Sequence, residues 1–191
     1  MQEQHAHMKE CAAEAARVAR GVPQDRLSHP TPCAEFDLRT LVNHLVLCTS
    51  HGLEHRALRK ELPNELTARD FTADAAWSED YAAQLDRAVA AWADPAVWGG
   101  EIGGTPAPDI AAMLILEMAL HGWDVAKATG QEYRVSPEAG RFVLQVVEQY
   151  AEMYRQYDGF GAAVPLPGAG TAPFERALAA SGRDPGWRRP G

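Results

Sequence analysis

The sequence predicts an all-α fold, a bundle of four or five helices in one domain. Three observations lead there. Apolar residues recur at helical spacing in every long segment. No segment alternates apolar and polar residues with period two, so no sheet is signalled. Clusters of Pro and Gly separate the helical segments, and 191 residues with 46% hydrophobic content can bury one sizeable core.

The first helix spans residues 3–20, with Met8, Cys11, Ala12, Ala15, Ala16 and Ala19 along one side. Such small side chains allow close approach of a neighbouring helix, and a homodimer could use the same face. "HPTPCAEFD" then breaks the chain with two prolines. Asp37 is a good N-cap for a second helix, "LRTLVNHLVLCTSHGLEHRALRKEL", residues 38–62. Its first half is apolar on nearly all sides, as expected at the centre of a bundle.

"PNELTARDFTADAAW" reads as a loop or broken turn. A third helix covers about residues 78–93, with Tyr81, Leu85, Ala88, Val89 and Trp92 in register. "DPAVWGGEIGGTPAP" is a loop with room for a short hairpin. The fourth helix runs over 107–129, with Lys127 in its last turn and Gly130 just beyond. A fifth opens with Ser136 as N-cap and Pro137 behind it and continues to about Tyr157. Val143, Val146, Val147, Tyr150, Met153 and Tyr157 form its predicted buried stripe. "DGFGAAVPLPGAGTAP" is a long irregular link to a last short helix, "FERALAASG", and a "RDPGW" tail. The expected division is a helical bundle over 1–160, and a linker with a short helix packed on it over 161–191.

Net charge is -8, which argues against general affinity for nucleic acid or an anionic membrane. The one Lys/Arg run is the short "WRRP" near the C-terminus. Three cysteines, Cys11, Cys33 and Cys48, make an odd count with no CxxC spacing, which argues for reduced thiols in a cytosol. The N-terminus lacks the apolar core of a signal peptide, and no apolar run approaches a membrane span. The expectation is a soluble cytoplasmic protein.

The chemistry concentrates on the fourth helix. Ile110, Met113, Leu114, Leu120 and Val125 mark its apolar face, and Glu117 and His121 fall inside that stripe. Four residues apart on a helix, their Cβ atoms are roughly 5–6 Å apart. Carboxylate oxygen and imidazole nitrogen are both normal ligands of a divalent metal. His44, among Leu41, Leu45 and Cys48, is the best third donor, if the second helix packs on the fourth. Two His and one Glu would leave a fourth position free. The same residues admit a second reading: a structural Glu117–His121 ion pair beside a hydrogen-bonded core histidine, since a buried Glu needs a partner in any case.

"HGLEH" matches the HxxEH pattern of inverted zinc peptidases, with His51 and His55 as ligands and Glu54 as base. Arg56, Arg59 and Lys60 follow at once, so this half of the helix reads as solvated. His51, two turns beyond His44, could instead line the mouth of the same cavity. Asp124, one turn past His121, could orient a ring nitrogen or make a surface salt bridge. Cys33 and Cys48 read mainly as small packed residues, and Cys33 could also gain from a nearby helix start. Gly122 costs about 1 kcal/mol relative to Ala inside a helix, so close approach of a helix or ligand is expected there. Trp123 reads as a packing anchor, and His5 and His7 as part of a mobile terminus.

"TPCAEFDLRTLVNHL", then "EMALHGWDVAKATG", then "SGRDPGW", together resemble the actinobacterial relatives of mycothiol-dependent maleylpyruvate isomerase, within the DinB-like metal-binding superfamily. The resemblance runs in order over nearly the whole chain. It implies a DinB-like four-helix bundle with additional short helices and a long loop before the C-terminal helix. It also implies a divalent metal, usually zinc, on His44, Glu117 and His121. The characterised type of enzyme in that family carries a further C-terminal domain that helps form the substrate site; here a linker and a short helix stand in its place. Fold and ligands are therefore expected to carry over better than substrate. The expected activity is a thiol S-transferase or isomerase, with mycothiol or a similar thiol as cosubstrate and a small electrophile as partner. A metal-dependent hydrolase is one alternative. A non-catalytic metal- or ligand-binding bundle, with His51 as a fourth ligand, is the other.

Overall fold

Helix α6 (Ala107–Thr129) is the axis of the fold, buried along most of its length. It is seen in a computed structural model that describes residues 1–166 and 170–189. Gly130 ends it in the left-handed region (φ 75°), and the Gln131 N–H reaches back 2.8 Å to the Ala126 carbonyl. Both ends match the sequence expectation. Helix α1 (Gln2–Arg20) packs on α6 and on α5 (Trp77–Ala91). Helix α2 (Leu38–Leu45) crosses α6 from another side, α7 (Pro137–Gln156) from a third, and α8 (Pro173–Ala180) lies on α7. Leu41, Leu85, Ile115, Met118 and Leu178 all belong to one core. The fold is an all-α, DinB-like bundle.

The caps are those the sequence signals. Asp37 accepts the Thr40 N–H at 2.8 Å, and Ser136 Oγ accepts the Ala139 N–H at 3.1 Å. Between α5 and α6, strands β1 (Glu101–Ile102) and β2 (Thr105–Pro106) form a minimal hairpin across Gly103 and Gly104, both at positive φ. The 63–76 stretch holds only helix α4 (Asn64–Thr67) and a 3-10 turn at Phe71–Ala73. Among the described residues, no helix is long and apolar enough to cross a membrane.

Three expectations are corrected. The predicted second helix does not run unbroken over 38–62. After α2 the chain forms a π-helical turn, Val46–His51, then helix α3 (Gly52–Ala57). Thr49 and Ser50 are buried there and bond back to the Leu45 and Val46 carbonyls at 2.7 and 2.6 Å. Such back-bonding competes with the regular ladder. Arg59 then turns left-handed (φ 55°), and the Lys60 N–H closes on the His55 carbonyl.

The second correction concerns α7. Met153 and Tyr157 are exposed, Tyr157 standing just past the last residue of α7. The buried side there continues through Ala151, and Tyr154 stacks on Phe160 at 4.6 Å between ring centres. Third, His5 and His7 are not on a loose end. His5 Nε2 lies 3.0 Å from the Val89 carbonyl, and buried His7 stacks on Phe142.

The small residues Ala12, Ala15, Ala16 and Ala19 of α1 are buried within this chain. Residues 167–169 of the expected irregular link, and residue 190 of "WRRP", lie outside the described residues. The rest of the link is tied to α8 by the Val164 N–H on the Ala179 carbonyl.

Gly122 faces the ring of Tyr133, not another helix. A Cβ there would come 2.8 Å from Tyr133 Cε2. That ring is held by its hydroxyl, which donates to the Met118 carbonyl at 3.2 Å, and by stacking on Phe174. Gly122→Ala should therefore destabilise the fold by about 1–3 kcal/mol despite the better helix propensity of Ala. Denaturant unfolding of the variant, and of Gly122→Ala/Tyr133→Ala, checks this: the double variant should lose less than the sum of the singles.

Candidate metal centre

The loop before α2 and the middle of α6 build the site. Thr31 Oγ1 donates within the "TPC" turn, to the Cys33 and Phe36 carbonyls at 2.9 and 2.8 Å, and accepts the Cys33 N–H at 3.1 Å. Pro30 bridges to Asp37, and α2 starts from that clamp. His44 then projects from α2 toward α6, where Glu117 and His121 occupy successive turns.

The three side chains meet. His44 Nε2 lies 3.1 Å from Glu117 Oε2, and His121 Nε2 lies 3.4 Å from the same oxygen. The two imidazole rings are 5.0 Å apart and nearly perpendicular. One donor atom from each residue fits within a 4.8 Å span. In a tetrahedral zinc site with bonds of about 2.0–2.2 Å, neighbouring donors stand about 3.3–3.6 Å apart. The set therefore has the chemistry and spacing to hold a divalent metal. His44 keeps 31% of its side chain exposed and His121 only 13%, so solvent reaches the cluster from the His44 side.

Each histidine is oriented from behind. Cys48 Sγ lies 3.8 Å from His44 Nδ1, and the Phe36 ring lies 5.6 Å from the His44 ring. His121 Nδ1 donates to Asp124 Oδ2 at 3.0 Å, which leaves Nε2 facing Glu117. Asp124 has no exposed surface and is neutralised by buried Arg183. The guanidinium Nε donates to Oδ1 at 3.0 Å and Nη2 to Oδ2 at 2.8 Å. Removing one partner of such a buried pair costs about 3–5 kcal/mol.

These contacts shift the titrations. The Cys48 sulfur and the Glu117 carboxylate push the His44 imidazole up to about 10, against the cost of burial. Burial opposes ionisation of Glu117, but hydrogen bonds from His121 and His44 outweigh it and hold the carboxyl well below its ordinary range. Burial disfavours a charged His121, yet Asp124 and Glu117 raise it. Burial would raise Asp124, but Arg183 and His121 hold it down.

The other sequence candidates go to separate places. His51 stacks on Phe71 and lines a different cavity of about 210 Å³ with Arg69, Trp77, Gln84 and Arg87. Glu54 accepts from Gln84, and His55 Nδ1 sits 2.8 Å from the Glu61 carbonyl, so "HGLEH" does not converge. Trp123 is a packed core residue with Lys127 over its ring. Cys33 offers its sulfur to a second group with His121 and Asp124, and burial raises its thiol to about 11. Sequence reading missed Arg183. Its one signal was indirect: an Asp inside an apolar helix demands a cation, and "SGRDPGW" holds one.

Fold and site together define a DinB-like helical bundle with a His/Glu/His cluster shared by two facing helices. Within that class the chain belongs to the mycothiol maleylpyruvate isomerase N-terminal domain family, whose family model matches residues 8–126. Two relatives from Mycobacterium tuberculosis, Uncharacterized protein MT0763 (strain CDC 1551 / Oshkosh) and Uncharacterized protein Rv0738 (strain ATCC 25618 / H37Rv), are each 30% identical over 133 residues. The alignment covers 70% of this chain and 70% of each relative. No solved structure matches.

Raised imidazoles mean that a metal must displace protons to bind. Zinc affinity should rise with pH, by about tenfold per unit for each proton displaced, up to about pH 10, where the His44 imidazole gives up its proton. Competition titrations with a chelator of known affinity, across that range, check the slope; a pH-independent affinity would contradict these protonation states.

Proposed function

We propose that this chain is a divalent-metal-dependent thiol S-transferase or isomerase, using a low-molecular-weight thiol of mycothiol type on a small electrophile, with zinc as the metal. The observation that carries the reading is the His44–Glu117–His121 cluster, three donors with one side toward solvent. The name of the family that the chain belongs to supports mycothiol as the thiol.

A divalent cation in this set would favour the thiolate form of a thiol brought to its free position and so supply the nucleophile. Glu117 contributes the single negative charge of the set, which leaves net positive charge to attract a thiolate. Asp124 holds the Nδ1 proton of His121 and keeps Nε2 available. Cys48 sits behind His44 in the equivalent place. The Phe36 ring packs against the His44 ring, tilted at 47°.

The non-catalytic alternative needs a fourth protein ligand. Among the described residues no fourth donor lies within the same span of all three; Cys33 and Asp124 form a separate group that shares only His121, and His51 is turned to Phe71. That favours a position left for substrate.

Zinc-loaded protein incubated with mycothiol and a panel of small electrophiles should yield thioether conjugates or isomerised product, read by mass spectrometry. Glu117→Ala and His121→Ala should abolish both bound zinc and turnover. Full turnover by protein stripped of metal would end the proposal; turnover of esters or amides without thiol would transfer it to a hydrolase.

A further inference from the structure

Arg183 lies outside the span matched by the family model, in the segment after α8. That segment is aimed inward by its own backbone. Gly182 takes φ 88°, and a Cβ there would come 2.6 Å from Gly161 Cα, so only glycine fits. The Arg183 N–H then closes on the Leu178 carbonyl at 2.9 Å, and its side chain passes into the protein. Nη1 donates to Ser181 Oγ at 3.1 Å, Nε and Nη2 take both oxygens of Asp124, and Nη2 ends 3.5 Å from His121 Nδ1. This is a fixed fork with every nitrogen occupied, not a free cation awaiting substrate.

We infer that Arg183 is a positioning residue of the metal centre: the C-terminal segment locks Asp124, and through it the tautomer and aim of the His121 ring. The inference rests on the metal reading above. A helix residue such as Asp124 can rotate its carboxylate about two side-chain bonds. With both oxygens gripped by Arg183, Oδ2 is left pointing at His121 Nδ1 and Nε2 is left pointing at Glu117. The metal donors are thus carried by residues 44–121, while the device that aims one of them comes from residue 183.

The test is zinc affinity by chelator competition, and the visible spectrum of the cobalt-substituted protein, on full-length Arg183→Ala, Arg183→Gln and Arg183→Lys. Folding is checked by circular dichroism at the same temperature. Arg183→Ala and Arg183→Gln should bind zinc about 10–100-fold more weakly and alter the cobalt spectrum, and Arg183→Lys, which keeps charge but not the fork, should fall between. If Arg183→Ala does not fold, the other two variants decide. Folded variants with wild-type affinity and spectrum would reduce Arg183 to a staple between the C-terminal segment and α6 and overturn the inference alone. Wild-type protein that takes up no zinc would overturn the metal reading and this inference together.

Discussion

Three ionisable residues inside a mostly apolar helix, between Asp109 in its first turn and Lys127 in its last, are the constraint around which this molecule is arranged. Glu117, His121 and Asp124 occupy successive turns of α6, and α6 runs through the core. Charges in such a place must be matched or they destabilise the fold. The matching comes from the rest of the chain: His44 from α2 meets Glu117, and Arg183 from beyond α8 meets Asp124. His121 stands between the two carboxylates and joins both halves. The helices that supply these partners must therefore pack where they do.

The cluster has two unequal sides. The Asp124–Arg183 side is sealed, with dense hydrogen bonding typical of a structural element. The His44–Glu117 side is part exposed and has fewer partners. A rigid back and an accessible front is the arrangement expected where a metal is held in fixed geometry while another molecule approaches it. The family model covers the donors of the front and Asp124, but stops at residue 126, before the arginine that completes the back.

Much of the secondary structure was legible because its signals are local. Asp37 and Ser136 act through capping hydrogen bonds, Pro137 through its fixed φ, Lys127 through its charge in the last turn and Gly130 through its left-handed backbone, all within a turn or two, and α6 spans the residues its pattern indicates. The π-helical turn at Val46–His51 was not legible. Thr49 and Ser50 read as ordinary helix residues until burial, and the Tyr81 hydroxyl 2.7 Å from Thr49 Oγ1, show what their hydroxyls do. That turn separates His51 from His44, although regular helical counting put them on nearly the same face. Met153 and Tyr157 mislead for a similar reason: periodicity shows a helix face but not how far along it burial extends, and Tyr157 lies just past the end of α7.

By itself the sequence determined the helices, their caps and the pairing of Glu117 with His121, because residues four apart on a helix are neighbours whatever surrounds them. It also singled out His44, since a histidine in so apolar a stretch needs a polar partner. Only the tertiary structure decided that His44 reaches Glu117, 73 residues away, and that Arg183 closes the chain of charges from 59 residues beyond Asp124. Contacts over such separations depend on how helices cross and where loops return, and no short-range pattern encodes them.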